Sequence, residues 1–251
     1  MSNRLQAFHT TARADEAGPI AAAHAGLAGL APDGVGPFPE IGSALHVVRA
    51  AAKRAIDVLG AMTLLVLLLP VCALVVLLIR ADGGPAFFSH PRIGRAGRTF
   101  GCLKFRTMVP DAEHRLSELL RTDPEARAEW EATRKLRRDP RVTRIGRFLR
   151  STSLDEIPQL LNVVRGEMSL VGPRPVTRSE LDDLYGRAAA SLYVTVRPGM
   201  TGPWQVSGRS ESSYDRRIAL DVAYVRKPSL CADLLILLRT VRVVLLRHGA
   251  C

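Results

Sequence analysis

The sequence predicts a small, mixed α/β domain, rich in helix, that is attached to a membrane by one long apolar helix. Three observations support this prediction: an uncharged apolar run over residues 58–79, strand-like and charged helix-like segments after it, and a basic amphipathic segment near the end. The 251 residues suffice for one compact domain with appendages. We expect a tail over 1–42, a membrane region over 43–80 and a folded domain over 81–251.

The composition limits the classes of partner. Lys and Arg total 35 against 24 acidic residues, a net charge of +11, which suits nucleic acid, an anionic membrane surface or phosphorylated substrates. Arginine outnumbers lysine, and guanidinium groups bind phosphate through two hydrogen bonds, although GC-rich coding produces the same bias. The four cysteines form no C-x-x-C pair, which favours a reducing cytoplasmic setting over a disulfide framework.

The first 42 residues are rich in Ala, Gly and Pro and show no sustained periodicity. This composition predicts a mostly disordered tail, within which short Ala-rich helical patches are compatible with the sequence. Because no apolar core lies near the start, we do not expect a signal peptide.

The uncharged run over residues 58–79 has the length of a membrane helix. Its 22 residues would span roughly 33 Å as a straight helix, against about 30 Å for a bilayer core. Pro70 lies near its middle, where it removes a helix hydrogen bond and favours a kink. Basic residues flank both ends of the run: Lys53, Arg54, Arg80, Arg92, Arg95 and Arg98. The positive-inside rule therefore gives a single span no preferred orientation. A straight span and a bent, re-entrant helix that enters and leaves on the cytoplasmic face both stay open.

The segments after the apolar run alternate strand and helix signals. Strands are predicted over 86–88 and 99–105, and three glycines mark the turn between them. Helical spacing with dense surface charge predicts a helix over 111–136. A helix over 158–165 is predicted to end at Gly166, since glycine is common just after a helix. The remaining predicted elements are helices over 178–190 and 213–226 and a strand with a loop over 193–209.

Residues 230–247 alternate apolar clusters with Asp233, Arg239, Arg242 and Arg247. This pattern is typical of a basic amphipathic helix that lies in a membrane interface. Docking of the same helix on the domain core explains the pattern equally well, so both interpretations stay open.

The adjacent carboxylates Asp155 and Glu156 have two interpretations. Ser153 begins an S-x-x-E pattern, which indicates a capping box in which Ser153 caps a helix and Glu156 reaches back to it. Asp155 would then favour the positive end of the helix. Pro158 argues against this, because at the fifth helical position its missing N–H and its ring disturb the helix. If the helix begins nearer Pro158, the carboxylates lie in the loop that enters it.

Arginines crowd the sequence around the carboxylate pair: Arg141, Arg144, Arg147, Arg150, Arg165 and Arg174. A carboxylate can attack phosphorus and form an acyl phosphate. Against an anionic diphosphate this attack needs cations that neutralise the approaching charge, and arginines with Mg²⁺ supply them in phosphoryl transfer. The stretch therefore has the parts of a site for phosphate chemistry.

Further motifs place basic groups where phosphate is commonly bound. Lys104 and Arg106 follow a predicted strand and precede a helix, although a solvated basic turn has the same sequence. Arg174 lies between two prolines, which rigidify the backbone and reduce the entropy lost when its guanidinium is held; a loop stop is the alternative. Trp204, in a turn-rich segment over 197–209, either packs in the domain or forms part of a ligand wall.

Four of these stretches occur in a fixed order: KRAIDVLG before the apolar helix, then FFSHPRIGRAGRTFGCLKFRTM, then DPRVTRIGRFLRSTSLDEIPQLLNVVRGEMSLVGPRP, then RPGMTGPWQVSGR. With the closing amphipathic segment, they resemble the bacterial sugar transferases, the monotopic polyprenyl-phosphate phosphoglycosyltransferases, over residues 53–247. Larger members carry further membrane helices and another domain before this core. Because a short polar tail precedes it here, we expect the minimal, exopolysaccharide-type form.

The resemblance implies an enzyme of the bacterial inner (cytoplasmic) membrane, with a re-entrant helix, interfacial amphipathic helices and a catalytic domain on the cytoplasmic face. It would transfer a sugar 1-phosphate from a UDP-sugar to undecaprenyl phosphate, giving UMP and an undecaprenyl-diphosphate sugar. This step starts the assembly of exopolysaccharide or another surface glycan. Mg²⁺ is the implied cofactor, and a homodimer is compatible with the resemblance.

The resemblance also implies roles for individual residues. Asp155 would be the nucleophile that takes the phosphosugar covalently, with Mg²⁺ bound near it. Glu156 would handle the acceptor's proton or position groups. Pro70 matches the break in the membrane helix, although Leu69 stands before it where some members have serine. Substrate phosphates would be held by Lys104, Arg106, Arg150, Arg174 and Arg197.

The non-catalytic alternative is a basic membrane-attached scaffold or a nucleic-acid-binding module, which the net charge of +11 would suit. The sequence contains no nucleic-acid fold motif, and aromatic residues make up 5% of the chain, which supplies few stacking platforms. We therefore expect no nucleic-acid partner.

Overall fold

The computed structural model describes residues 44–133, 136–207 and 213–245 and has a mixed α/β fold rich in helix, as predicted. The helices are α1 (Ala44–Ala81), α2 (Ala112–Thr122), α3 (Pro124–Thr133), α4 (Arg144–Thr152), α5 (Gln159–Arg165), α6 (Arg178–Leu184), α7 (Gly186–Tyr193), α8 (Pro203–Val206), α9 (Tyr214–Arg226) and α10 (Leu230–Leu245). The strands are β1 (Phe87–Ile93), β2 (Thr99–Phe105), β3 (Ser169–Val171) and β4 (Gly199–Thr201). The predicted tail over 1–42 lies outside the described residues, as do Arg209 and Arg247.

The chain divides into two compact units between Ala50 and Ala51. Of the first unit, the structure describes residues 44–50, which form the first turns of α1. The second unit contains the rest of α1 and the other described elements.

α1 contains the whole predicted apolar run. Its segment Val47–Ala81 contains an 18-residue window with a mean hydropathy of 3.1 and is the one segment of the described ranges that is long and apolar enough to cross a membrane. The helix continues through Pro70, because proline fits the helical φ and removes one hydrogen bond of many. The proline therefore lies inside the helix without ending it, and the re-entrant path stays a prediction.

One face of α1 is part of the domain core. Ala61, near the start of the apolar run, and Val75 and Ile79, near its end, are buried in the same hydrophobic cluster as Leu149 and Leu160. Partly buried side chains continue this face at helical spacing between them: Leu65, Leu68 and Cys72. Both ends of the apolar run therefore pack against one core.

Polar side chains just before the apolar run bind β3. Asp57 is buried, and its carboxylate accepts hydrogen bonds from the Ser169 hydroxyl at 2.8 Å and the Leu170 N–H at 3.0 Å. Lys53 Nζ donates to the Val171 carbonyl at 3.1 Å. The start of α1 is thus joined to a strand of the domain by charge-assisted hydrogen bonds.

β1 and β2 form an antiparallel pair in which Phe87 faces Phe105 and Ile93 faces Thr99. These are the two predicted strands, and β1 extends further than the three residues expected. A 3₁₀ turn over Arg95–Gly97 connects them, and its glycine has a φ of +71°, which favours that residue type.

β3 and β4 pair in parallel, with Ser169 beside Gly199 and Val171 beside Thr201. Their backbones approach so closely that a Cβ atom on Gly199 would lie 2.1 Å from the backbone nitrogen of Gly172. A side chain at this position would separate the strands. The absence of a side chain at Gly199 therefore allows the loop that follows β3 to pack against β4.

Two predicted helices are each divided in two. The helix expected over 111–136 becomes α2 and α3, because the Asp123 carboxylate accepts from the N–H groups two and three residues further on, at 2.9 and 3.0 Å. Such a cap starts a new helix. The helix expected over 178–190 becomes α6 and α7, with Gly186, the first residue of α7, at a φ of +65°. The short helices α4 and α8 were not predicted.

Two of the predicted helices lie where expected. α5 ends at Gly166, which has a left-handed φ of +84°. α9 is capped by the Ser213 hydroxyl, which accepts from the Arg216 N–H at 3.3 Å. The predicted ends of these helices are confirmed because proline, glycine and capping residues act on the backbone beside them.

α10 docks on the core through one face. Ile236 is buried in the main hydrophobic cluster, and the buried Asp233 accepts from the Tyr224 hydroxyl and from Lys53 Nζ, both at 2.8 Å. The docking interpretation is therefore confirmed for this face. Another part of the helix exposes large apolar side chains: Leu234, Leu235, Leu238 and Val241. Its placement in a membrane interface stays a prediction.

Asn162 joins α5 to β2 in the centre of the domain. Its side chain is fully buried, and its Oδ1 accepts from the Leu103 N–H at 2.9 Å. Its Nδ2 donates to the Gly101 carbonyl at 2.8 Å and to Glu167 Oε2 at 2.6 Å. A buried amide satisfied in this way fixes the strand that ends beside Lys104.

We expect Asn162→Ala to lower the free energy of unfolding by about 2–3 kcal/mol, because it leaves buried backbone groups without partners. Urea unfolding of the protein in nanodiscs measures the change. Thr195→Ala is the control, since it removes an exposed hydroxyl that bonds the Leu192 carbonyl at 2.7 Å. That control should change stability by less than about 0.5 kcal/mol. Equal losses in the two variants would contradict the assignment.

Candidate functional site

The carboxylate pair lies in a 3₁₀ turn, Leu154–Glu156, between α4 and α5. Ser153 ends α4 with a φ of +57°, and its side chain makes no capping hydrogen bond. α5 begins at Gln159, directly after Pro158. The capping-box interpretation is therefore wrong, and the alternative, with the carboxylates in the loop before the helix, is confirmed. The physical reason is the missing N–H of the proline, which a helix starting at Ser153 would need.

Lys104, the second-last residue of β2, contacts both carboxylates. Its Nζ lies 2.7 Å from Glu156 Oε1 and 3.5 Å from Asp155 Oδ2. Burial lowers the pKa of Lys104, but the attraction of Glu156 and Asp155 outweighs burial and raises that pKa above its ordinary value. The lysine is therefore a cation throughout the neutral pH range.

Asp155 is the more buried of the two carboxylates, with 12% of its side chain exposed against 30% for Glu156. Burial raises the pKa of Asp155, and the nearby cations Lys104 and Arg150 reduce this rise without cancelling it. A carboxylate with a raised pKa is a stronger base, and groups perturbed in this way are concentrated at active sites.

Arg150, in the last turn of α4, reaches the same site. Its Nε donates to the Thr107 hydroxyl at 2.9 Å, and its charge lowers the pKa of Asp155. The structure thus brings together four of the site residues predicted from the sequence: Lys104, Arg150, Asp155 and Glu156. These groups surround one buried carboxylate with two cations.

Arg174 follows β3 in the V-G-P-R-P loop. Its guanidinium carbon lies 5.3 Å from the ring centroid of Trp204, and that of Arg217 lies 5.2 Å from the same centroid. Its charge also opposes the rise in the pKa of Lys104 that Glu156 and Asp155 cause. Trp204 therefore packs within the domain against two guanidinium groups.

Next to Trp204 lies a buried polar group that the sequence analysis missed. Arg217 and Asp221, one helical turn apart on α9, are 5% and 2% exposed. The Tyr185 hydroxyl donates to Asp221 Oδ2 at 2.9 Å. Burial raises the pKa of Asp221 to about 6, against the opposing effects of Tyr185 and Arg217. The sequence signal was the i,i+4 spacing of Arg and Asp on a predicted helix.

Two predicted phosphate ligands have other hydrogen-bond partners. Arg106 Nη2 donates to the Ile79 carbonyl at 3.0 Å, at the end of α1. Arg197 Nε donates to the Gly166 carbonyl at 2.7 Å, at the end of α5. Within the described part of the chain, neither side chain bonds to the carboxylate pair. Pro70 lies inside α1, away from these contacts, and the roles predicted for all three stay predictions.

The carboxylate turn can be compared with the needs of Mg²⁺. In the described ranges, no cluster of three or more His, Cys, Asp or Glu side chains could hold a metal ion. Mg²⁺ does not need one, since one or two carboxylates commonly hold it together with substrate phosphates and water. Asp155 Oδ2 faces Lys104, whereas Oδ1 has no hydrogen-bond partner among the described residues. The turn therefore fits Mg²⁺ that arrives with a phosphate substrate.

A carboxylate pair lined by cations, on a domain that shares its core with a long apolar helix, defines a membrane-associated protein with a site suited to phosphate. The family model of the bacterial sugar transferases matches residues 48–247 of the chain. Because this match covers most of the sequence, the protein belongs to the bacterial sugar transferase family, as the order of its motifs predicted.

Named relatives agree with this family. The chain is 53% identical over 198 residues to the UDP-galactose-lipid carrier transferase of Erwinia amylovora, 50% over 214 residues to the exopolysaccharide production protein ExoY of Rhizobium meliloti, and 48% over 198 residues to the undecaprenyl-phosphate galactose phosphotransferase of Salmonella typhimurium. These matches cover 79%, 85% and 79% of this chain. The chain spans 41% of the length of the Erwinia and Salmonella proteins and 94% of ExoY.

We expect Asp221→Asn to remove a pH dependence of stability. Because the pKa of Asp221 is about 6 in the folded protein against an ordinary 3.8, the folded state binds this proton more tightly than the unfolded state. The resulting stabilisation is complete below about pH 4 and is lost as the pH rises to about 6, at most about 3 kcal/mol in total.

Thermal unfolding between about pH 4 and pH 7 measures this effect. Relative to the wild type, Asp221→Asn should gain stability as the pH rises. Asp215→Asn, an exposed carboxylate on α9, should run parallel to the wild type. A constant difference between wild type and Asp221→Asn across this range would show that Asp221 does not titrate there.

Proposed function

We propose that the protein transfers a sugar 1-phosphate from a UDP-sugar to undecaprenyl phosphate, giving UMP and an undecaprenyl-diphosphate sugar. The observation that supports this most directly is a buried carboxylate, Asp155, between Lys104 and Arg150 on a domain whose core includes an apolar helix. Relatives named as a UDP-galactose-lipid carrier transferase and an undecaprenyl-phosphate galactose phosphotransferase support the substrates. The similarity to ExoY supports a role in exopolysaccharide production.

In the first step, a carboxylate oxygen of Asp155 attacks the phosphorus that bears the sugar. The bond from this phosphorus to the bridging oxygen breaks, the electron pair leaves with that oxygen, and UMP departs. The product is an aspartyl phosphosugar. Oδ1 is the oxygen suited to attack, since Oδ2 faces Lys104.

In the second step, a phosphate oxygen of undecaprenyl phosphate attacks the same phosphorus. The acyl phosphate bond breaks, Asp155 regains its carboxylate, and the undecaprenyl-diphosphate sugar leaves. Glu156, the more exposed carboxylate, accepts any proton that the acceptor phosphate still carries. The two adjacent carboxylates thus differ in role because they differ in burial.

The cations make both attacks feasible. An anionic nucleophile approaches an anionic diphosphate, so groups fixed before the reaction must offset the repulsion. Lys104 and Arg150 lie at Asp155, and Arg174 is held near them against Trp204. When bound, Mg²⁺ would neutralise further phosphate charge, and Asp155 with Glu156 would hold it.

The burial of α1 supports a re-entrant arrangement in the membrane. Ala61 and Val75 lie near opposite ends of the apolar run, yet both are buried in the core of the same domain. A helix that crossed the bilayer would place these ends on opposite sides, about 20 Å or more apart along the normal. A re-entrant helix with both ends on the cytoplasmic face meets this constraint and brings the site to the surface of the membrane that holds undecaprenyl phosphate.

The exposed apolar side chains of α10 support a second contact with the membrane. Leu234, Leu235, Leu238 and Val241 are each more than half exposed to solvent. A soluble surface rarely leaves so many large apolar groups exposed on one helix. Burial of these groups in the interface would hold the domain against the bilayer.

A covalent route predicts UMP release without an acceptor. Protein in nanodiscs, incubated with a UDP-sugar and Mg²⁺ but no polyprenyl phosphate, should release at most one UMP per site. The peptide containing Asp155 should gain the mass of the phosphosugar. Asp155→Asn should lower UMP release by about a thousandfold or more, and Asp215→Asn should have no effect. A panel of UDP-sugars in the same assay identifies the donor.

Three other results would contradict parts of the proposed function. UMP release that requires the acceptor would replace the covalent route by direct transfer. Full activity of Asp155→Asn would reject the site. Salt-sensitive binding of DNA with no turnover of any UDP-sugar would favour the non-catalytic alternative.

A re-entrant helix predicts that both ends of α1 face the same side. Single cysteines at Val47 and Asp82, both exposed, are placed in a variant with its native cysteines changed to serine. A thiol reagent that cannot cross membranes should label both in inverted inner-membrane vesicles and neither in spheroplasts. Ser191→Cys, on the exposed side of α7, reports the face of the domain. Labelling of Val47→Cys and Asp82→Cys from opposite sides would establish a span.

A further inference from the structure

Arg106 is a buried cation without an acidic partner. The residue is 8% exposed, and within the described ranges its guanidinium makes no ion pair. Nη2 donates to the Ile79 carbonyl at 3.0 Å, whereas Nε and Nη1 are buried without an acceptor among the described residues. Burial of a charged group in this way is unfavourable unless the surroundings compensate it.

The end of α1 supplies this compensation. Ile79 carries one of the last carbonyls of the helix, where the helix dipole is negative and a cation is favoured. The guanidinium also lies against the turn that follows the helix, since a Cβ atom on Gly84 would be 2.2 Å from Nη1. The backbone N–H of Arg106 donates to the Ala86 carbonyl at 2.8 Å. Arg106 is therefore bound to the 79–86 segment by both its side chain and its backbone.

The neighbours of Arg106 carry contacts of the candidate site. Two residues before it, Lys104 bonds Glu156 at 2.7 Å and lies beside Asp155. One residue after it, the Thr107 hydroxyl accepts from Arg150 Nε at 2.9 Å. Because the backbone between these residues has fixed dimensions, a displacement of Arg106 displaces both contacts.

We propose that Arg106 is a positioning residue that fixes residues 104–107 against the end of α1, and so holds Lys104 and Arg150 in place beside Asp155. The expected effect of Arg106 on turnover rests on the proposed function. Its expected effect on the position of residues 104–107 does not depend on that function. Arg106 acts on the reaction through its neighbours, in contrast to the direct phosphate contact that its place in the K-F-R motif suggested.

Two adjacent glycines allow a matched test. Gly83 and Gly84 have φ angles of +78° and +79°, so alanine strains the backbone equally at both. A Cβ atom on Gly83 meets nothing within 4 Å, whereas one on Gly84 would lie 2.2 Å from Arg106 Nη1 and, less closely, 3.2 Å from Pro110 Cγ. Gly84→Ala therefore displaces Arg106, and Gly83→Ala is its control.

The first measurement is steady-state UMP release in nanodiscs. Gly84→Ala and Arg106→Met should lower kcat by about tenfold to a hundredfold, as expected when reacting groups move by about an ångström, with the KM for the UDP-sugar within about threefold of wild type. Gly83→Ala should retain kcat. Arg106→Lys should recover part of the loss, because its ammonium can still donate to Ile79. Gly84→Ala should add little to Arg106→Met, since the clash is then absent.

The second measurement does not require activity. Hydrogen exchange of the peptide covering residues 99–107 should become about tenfold faster in Gly84→Ala and Arg106→Met and stay unchanged in Gly83→Ala. If the wild type releases no UMP from any UDP-sugar, the proposed function fails, and the exchange rates still decide the role of Arg106.

Two results would overturn the proposal. Equal exchange rates in Gly83→Ala and Gly84→Ala would show that Arg106 does not hold the strand. A raised KM in Arg106→Met with unchanged exchange would make Arg106 a ligand of the substrate.

Discussion

The contact of Lys104 with the carboxylates of Asp155 and Glu156 is the interaction on which the rest of the site depends. Asp155 is buried in surroundings that favour its protonated form, and the cation at 3.5 Å opposes this effect. The lysine remains charged because the same two carboxylates outweigh its own burial. Each charge thus maintains the other, and the loss of one partner would leave an uncompensated charge in a buried place. In the proposed reaction, a phosphate substrate would meet charges whose positions are already set, which is the condition for strong electrostatic stabilisation.

The backbone around the carboxylates explains how this contact forms. Ser153 turns the chain at the end of α4 with a left-handed φ, and Pro158 prevents a helix from starting before α5. The two carboxylates are therefore held in a short turn, in which Asp155 is buried and Leu154 packs against the main hydrophobic cluster. Asn162, on the helix that follows, is hydrogen-bonded to the middle of β2 and so sets the distance between that turn and Lys104.

Features set by neighbouring residues could be predicted from the sequence, whereas contacts between residues far apart in the chain could not. Pro158 and Gly166 constrain their own backbone, so the ends of α5 could be predicted from single residues. The helix over 111–136 was wrongly drawn as one, because its charge pattern continues across Asp123, whose capping role is equally local and was overlooked. The contact of Lys104 with the carboxylates joins residues about fifty positions apart, which periodicity does not reveal. The burial of Asp221 depends in the same way on a distant partner, Tyr185, so its raised pKa had no signal in the sequence.

The long apolar helix α1 is part of the architecture of the candidate site. A helix that served as a tether alone would need apolar side chains and no buried polar contacts with the domain. α1 instead places the buried carboxylate of Asp57 on β3, the strand that leads into the loop of Arg174. At its other end the Ile79 carbonyl accepts from Arg106, next to the strand that carries Lys104. β3 and Arg106, the residue directly after β2, are thus bonded to opposite ends of the same helix, α1. In the membrane arrangement proposed above, the depth of α1 would set the height of the candidate site above the lipid, which is the distance that a lipid-linked phosphate would have to bridge.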